Sequence, residues 1–511
     1  MPSSLYGIFN VQRALQLNQS AINIINNNIA NINTEGYSKQ SLDISQKIIA
    51  SSGNQNIVDS QSGAGATIDS IRRNRDVYLD ANYRNNNSDY NYAEELSQNV
   101  ALIETKMNEL SNDGINNAFN DFYNAASQLS LKPTDSLARN NFVQMASDLC
   151  NKINDVYNQL TKIRTDLVGD PLNASSLNTA KITTTCFDLN KQLEALTDIN
   201  KTIALSTSEG ITPNSLLDKR DLLLDKISEF IPITVTQGQN NLVTVSLGDT
   251  ILIQGSNRVG YFEAAVGDDD NPAIIKIVDS DGVDIVANAN DEITSGKIAG
   301  ILDVAGSDPN KLTISGVLDS LNTLAVEFAT EINTIQNNGQ YIDNSVSPPV
   351  LASFTDTMDI FVEQSGTNEA DYANMTAGNI RINSNIYNNP YLVATAKSSS
   401  AANETGDGEN ILLMSQLRNE PLENLGFATT EGFLSSLVGK IGIQVKNVDD
   451  TFDTKKLIFD QIKQTKESTI GVNLDEELSD LIRFQRSYEA SAKLLSVIDK
   501  TLQQIIAAVS S

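Results

Sequence analysis

Both ends of this chain carry the same hydrophobic repeat, which limits the folds open to it more than any other feature. Near the start, Ile8, Val11, Leu15, Ile22, Ile25, Ile29 and Ile32 step by three and four, with Asn18 the one break in the seam. That heptad spacing predicts a coiled-coil helix, about 40 Å long at about 1.5 Å per residue. Thr34-Glu35-Gly36 is expected to stop it, Gly36 suiting the left-handed position that ends a helix. Near the other end a second seam runs through Leu474, Leu478, Leu481, Phe484, Tyr488, Ala492, Leu495, Ile498, Leu502, Ile505 and Val509. Asp475, Glu476 and Glu477 stand at its start, where the helix dipole favours negative charge. Neither helix can bury its stripe alone. The expectation is one pair, parallel or antiparallel, closed by bringing the chain's ends together; two unrelated amphipathic helices on a globular core are the plainer alternative.

The middle changes period twice. Leu96, Val100, Ile103, Met107 and Leu110 form one helical stripe, ended by Asn112-Asp113-Gly114. A longer stripe runs from Ala146 to Leu167, with Pro133 ahead of it and Thr134 or Asp135 as its cap. Further stripes start at Leu189 and at Pro213-Asn214. From Ile233 to Ile253 apolar residues alternate with polar ones, and Gly and Asn fill the gaps, the pattern of short strands and turns. Helix returns over Val317–Ile335, and Ser398–Gly408 reads as an exposed loop. The fold class expected is α+β and multidomain: a coiled-coil pair of terminal helices (1–40 and 471–511), a helical-bundle domain in three pieces (41–230, 301–340 and 409–470), an inserted β-rich domain (231–300) and a mixed β and loop segment (341–408).

Composition removes several functions. Of 511 residues, none is histidine, so the commonest general base and metal ligand is missing, and no Ser-His-Asp or Cys-His site can be built from this chain alone. A formal net charge of -28 repels phosphate and disfavours nucleic acid and anionic lipid. No apolar run reaches the roughly 18 residues of a membrane span, and MPSSLYGIFNVQRAL lacks the basic start of a secretory signal. Cys150 and Cys186 are too few for a disulfide framework; one bridge stays open, and their places on or beside apolar stripes read as core. Asp279-Ser280-Asp281-Gly282-Val283-Asp284 has its glycine too early for a calcium loop and reads as a turn, as does Asp268-Asp269-Asp270-Asn271-Pro272. No catalytic group, cofactor or metal site is expected. Arg483 and Arg486 read equally as partners for a neighbouring subunit or as a solvated face paired with Asp480 or Glu489.

Three segments resemble known proteins. Segment 28–40, NIANINTEGYSKQ, resembles the N-terminal motif shared by flagellar rod, hook and hook-associated proteins. Segment 471–498, GVNLDEELSDLIRFQRSYEASAKLLSVI, is similar to the C-terminal motif of the hook-associated protein 1 family, and GITPNSLLDKRDLLLD at 210–225 resembles that family's helical domain. Glu35 departs from the pattern, standing where the family often has proline. The resemblance implies a structural subunit, not an enzyme, at the hook–filament junction of the bacterial flagellum. It would be secreted through the flagellar type III apparatus, escorted by an export chaperone, and assembled with copies of itself as a ring between the hook protein and a second junction protein. It also implies an assembly seam of Ile22, Ile25, Ile29 and Ile32 with Leu478, Leu481, Tyr488, Leu495 and Leu502. Another axial protein, or a secreted adhesin or effector, is the alternative reading.

Overall fold

A computed structural model describes residues 2–46, 65–107, 114–268, 271–364 and 368–509. The chain is α+β, with long helices that carry several small antiparallel sheets. It opens with α1 (Pro2–Ala30), then the antiparallel hairpin of β1 (Gln40–Gln46) and β2 (Ala66–Arg73). The helical body follows: α2 (Val77–Met107), α3 (Ile115–Leu131), α4 (Ser136–Val168), α5 (Lys181–Ser208) and α6 (Asn214–Ile227). Asp135 caps α4, its side chain accepting from the Leu137 N–H. Leu110, Asn112 and Asp113, expected at the end of α2, lie outside the described residues.

The change of period marks a real change of structure. A four-stranded sheet joins β3 (Thr234–Gln237), β4 (Val243–Leu247), β5 (Thr250–Gln254) and β6 (Asn257–Arg258) in that order. A three-stranded sheet follows, β7 (Tyr261–Val266), β8 (Ala273–Val278) and β9 (Asp284–Val286). The Asp279 loop is a turn: its carboxylate accepts from the N–H of Asp281 and Val283, and Gly282 takes a positive φ of 79°. Strand structure stops before 300, because α7 (Gly296–Ala305) is helical, with six of its residues after Gly296 buried. Gly296 permits that start: its φ is 87°, and a Cβ there would stand 2.3 Å from the Phe230 carbonyl oxygen.

α8 (Ile314–Asn338) returns to the body. Small pieces then cross its face: β10 (Gly339–Asp343), β11 (Val350–Ser353), β12 (Phe361–Glu363), β13 (Ile380–Ile382), α9 (Ser384–Asn388) and β14 (Ala396–Lys397). α10 (Glu409–Gln416), α11 (Thr430–Ile470) and α12 (Leu474–Val509) complete the chain. One continuous core runs from the body into the inserted sheets. At its centre the rings of Phe119, Phe122, Tyr123, Phe142, Phe328 and Phe361 meet with centroids 5.1–6.4 Å apart. Arg139 is buried beside them and donates to the carbonyls of Pro133, Pro390 and Val393 and to the Thr395 hydroxyl. Cys150 and Cys186 are both buried free thiols, so no bridge joins them.

α2 and α11 lie side by side in opposite directions. Tyr83 packs on Phe459, Tyr90 stacks on Phe459 at 5.0 Å and also meets Phe452, and Lys455 pairs with Asp89 at 2.7 Å. This pair carries the chain from the body back to the root of α1 and α12.

Candidate functional site

The two heptad helices meet. A Cβ on Gly7 would stand 4.0 Å from Ile498, and Asn28 donates to the Glu477 carboxylate at 3.0 Å. Early residues of α1 thus lie against late residues of α12, and the pair is antiparallel. Its turns are set locally. Asn473 caps α12 by accepting from the Asp475 N–H at 3.0 Å, and Gly471 separates α12 from α11.

The expected seam is only partly the buried one. Among the described side chains of α1, the buried ones are Val11, Asn18, Ala21, Ile24, Ile25 and Asn28. Ile22 and Ile29 are half-buried, and Ile32 is exposed beyond the end of the helix. The buried stripe is rotated from the expected one because α1 is covered from two sides, by α12 and by the β1–β2 hairpin. On α12, Leu481, Leu495 and Leu502 are half-buried, with Phe484 and Ile498 between them at heptad spacing. Leu478 and Tyr488 are exposed, as are Ile482, Leu494, Val497 and Ile506. Gly36 does not end the helix. α1 stops at Ala30, and Gly36 takes its positive φ of 76° in a turn further on, where a Cβ would press on Leu222 at 3.1 Å. Arg483 pairs within its own helix with Asp480 at 3.0 Å.

Asn28 organises the root of the pair. Its amide donates to the Gln40 carbonyl and to Glu477, and its oxygen accepts from the Tyr37 hydroxyl at 2.8 Å and from the Gln40 N–H. Glu477 is buried and takes Lys39 as counter-ion at 3.0 Å. A buried carboxylate is tolerated only when paired and hydrogen-bonded in this way.

Below the root lies a set of charges that the repeat pattern did not reveal. Arg73 reaches Asp218 at 2.9 Å and Asp221 at 2.8 Å. Arg75 faces Asp80 at 3.0 Å and Asp221 at 3.4 Å. Arg84 pairs with Asp225 at 2.9 Å, Arg220 with Asp221 at 2.8 Å, and Lys466 with Asp225 at 2.5 Å. Ser38 donates to Asp218 at 2.7 Å. These nine ionic side chains are only 6–14% exposed. Burial pushes the Asp221 carboxyl up, but Arg220, Arg75 and Arg73 outweigh it and hold its pKa at about 2. For Asp80 burial wins over Arg75, Arg84 and Lys466, and its carboxyl sits above the usual range. The clamp joins the chain leaving the α1–α12 pair (38, 73–75) and the end of α11 to α6, whose sequence is the LLDKRDLLLD segment. Its members are hundreds of residues apart, so only that segment could have pointed to it.

With the geometry in place, the likeness to known proteins can be read element by element. Over residues 10–37 the chain matches the family model of the flagella basal body rod protein, and over 466–508 that of the flagellar basal body rod FlgEFG protein C-terminal region. These two matches fall on the α1 and α12 ends. Over 100–348 it matches the model of the flagellar hook-associated protein FlgK helical domain. The chain is similar from end to end to flagellar hook-associated protein 1. It is 26% identical to that of Bacillus subtilis (strain 168) over 526 residues, covering 99% of this chain and 98% of that one. To that of Escherichia coli (strain K12) it is 22% identical, covering 98% of this chain and 99% of that one. The fold is similar to that of the flagellar hook junction protein FlgK from Burkholderia pseudomallei, with a TM-score of 0.58 at 15% identity over 76% of this chain and 100% of that one.

Proposed function

We propose that this chain is a structural subunit at the hook–filament junction of the bacterial flagellum. It leaves the cell by the flagellar type III route with an export chaperone and assembles with its own copies as a ring on the hook tip. The hook protein lies on one side of the ring and a second junction protein on the other. The terminal helices form the inner tube, and the body and β sheets face outward. The observation that carries this reading is the antiparallel α1–α12 pair, which gathers both ends of the chain into one rod whose outer faces are still apolar. Ile32, Leu478 and Tyr488, exposed in the single subunit, then serve contacts between subunits, and Ile22, Ile25, Ile29, Leu481, Leu495 and Leu502 the seam beside them. The helical-domain match and the end-to-end similarity favour this position over another axial protein or a secreted effector.

The reading is tested by electron microscopy of cells lacking this chain, with an assay of flagellin in the medium. Hooks without filaments, with flagellin lost to the medium, are the expected result. Normal filaments would remove the junction role.

A further inference from the structure

The clamp below the axial root is not charge-balanced. Its linked ion pairs contain five cations, Arg73, Arg75, Arg84, Arg220 and Lys466, and four carboxylates, Asp80, Asp218, Asp221 and Asp225. With all of them ionised, one positive charge is left over inside a chain whose formal net charge is -28. A buried charge without a counter-charge is costly.

Beside the clamp is a cavity of about 200 Å³. All four arginines line it, and among the described residues the only carboxylates on its wall are Asp80 and Asp221. Arg75, whose side chain is 10% exposed, keeps its Nε without a hydrogen-bond acceptor. An unmet buried donor carries its own desolvation penalty. Guanidinium groups present paired N–H donors in a fixed fork, the geometry that suits an oxyanion. Space, surplus charge and a spare donor thus coincide.

We propose that this cavity binds a small inorganic oxyanion of the phosphate or sulfate class. The anion neutralises the surplus charge and holds the Arg73–Arg75 linker, α2 and α6 together, stiffening the root on which the axial pair stands. The site is independent of the junction reading and stands or falls without it.

The test uses the full chain in a phosphate-free buffer, at an ionic strength held constant with sodium gluconate. Thermal unfolding is followed as sodium phosphate, and separately sodium sulfate, is raised through the millimolar range. A ligand held by the folded state alone raises Tm in a saturable way. The expected result is a saturable rise in the natural chain that is lost in Arg84→Gln, which removes the surplus charge. Ala81→Leu, on an exposed part of α2 at the cavity wall, narrows the space without touching a charge and should also abolish it. If Arg84→Gln does not fold, Ala81→Leu decides. The arm that saturates at the lower concentration identifies the preferred oxyanion. No rise, or a rise that does not saturate and is equal in all three chains, as salt exclusion from the surface gives, would overturn the proposal.

Discussion

The body and the axial pair are both made of long helices, yet they are built to different standards of burial. In the body, Phe119, Phe122, Phe142, Phe328 and Phe361 are fully buried, and α3, α4 and α8 each bury a full apolar stripe. In α12, the one buried side chain among the described residues is Glu477, a carboxylate; the leucines and isoleucines of its seam are half-buried at best. A fully buried Leu or Ile contributes roughly 1.5–3 kcal/mol, and partial burial gives less. Ordering backbone costs about 1–2 kcal/mol per residue. The body covers that cost from its own core. We propose that the α1–α12 pair covers it only when neighbouring subunits add their surfaces, so that its helices are loosely held in the lone subunit and become ordered on assembly.

Substitutions should separate the two regions. The largest effect on the stability of the isolated chain is expected from Phe122→Ala, about 3–5 kcal/mol, because four other rings close on it and the cavity cannot collapse. Urea unfolding measures it, and a loss under about 1 kcal/mol would mean the body is less tightly packed than its geometry.

Next comes Asp221→Asn, about 3 kcal/mol at neutral pH, since it leaves three arginines short of a partner. The pH dependence has a fixed sign. A folded pKa of about 2 lies below the unfolded value of about 3.9. Asp221 therefore contributes stability above pH ~4 that is lost as pH falls through about 2. An acid titration of stability should be steeper in the natural chain than in the variant over that window. Asp80, shifted upward, works in the opposite direction and in a different window, lowering stability as pH rises above the unfolded value of about 3.9.

Arg139→Met should cost about 2 kcal/mol by leaving the Pro133, Pro390 and Val393 carbonyls without their donor. The same unfolding curves report it. Leu495→Ala should change the stability of the isolated chain least, by less than about 1 kcal/mol, because the side chain is only half-buried. It should nevertheless impair ring formation, read by sedimentation or electron microscopy. A large loss of subunit stability with assembly intact would reverse the comparison.

The sequence made the two regions legible to different degrees. Heptad spacing revealed both terminal helices because it persists over many turns, and Asp135 after Pro133 marked the start of α4. The period could not give the rotation of α1. Ala21 and Asn28 are buried where Ile22 and Ile29 were expected, since the covering strands, Gln40–Gln46 and Ala66–Arg73, leave no mark on the helix itself. Those strands fell inside a stretch read as helical, because they are half exposed and leave no continuous apolar face. α7 begins inside the expected β domain (231–300) and crosses its end: a helix of 10 residues, mostly apolar, has little polar face to show its period. The clamp was beyond reach for a different reason. Its charges look like ordinary surface residues one by one, and only the fold brings 73–84, 218–225 and 466 together.

Hydrogen exchange on the dilute chain, followed residue by residue, tests the contrast most directly. The account predicts weak protection along α1 and α12 beside strong protection in α3 around Phe119–Leu129, with α1 and α12 slowing sharply once subunits assemble. Equal protection of α1, α12 and α3 in the dilute chain would contradict it.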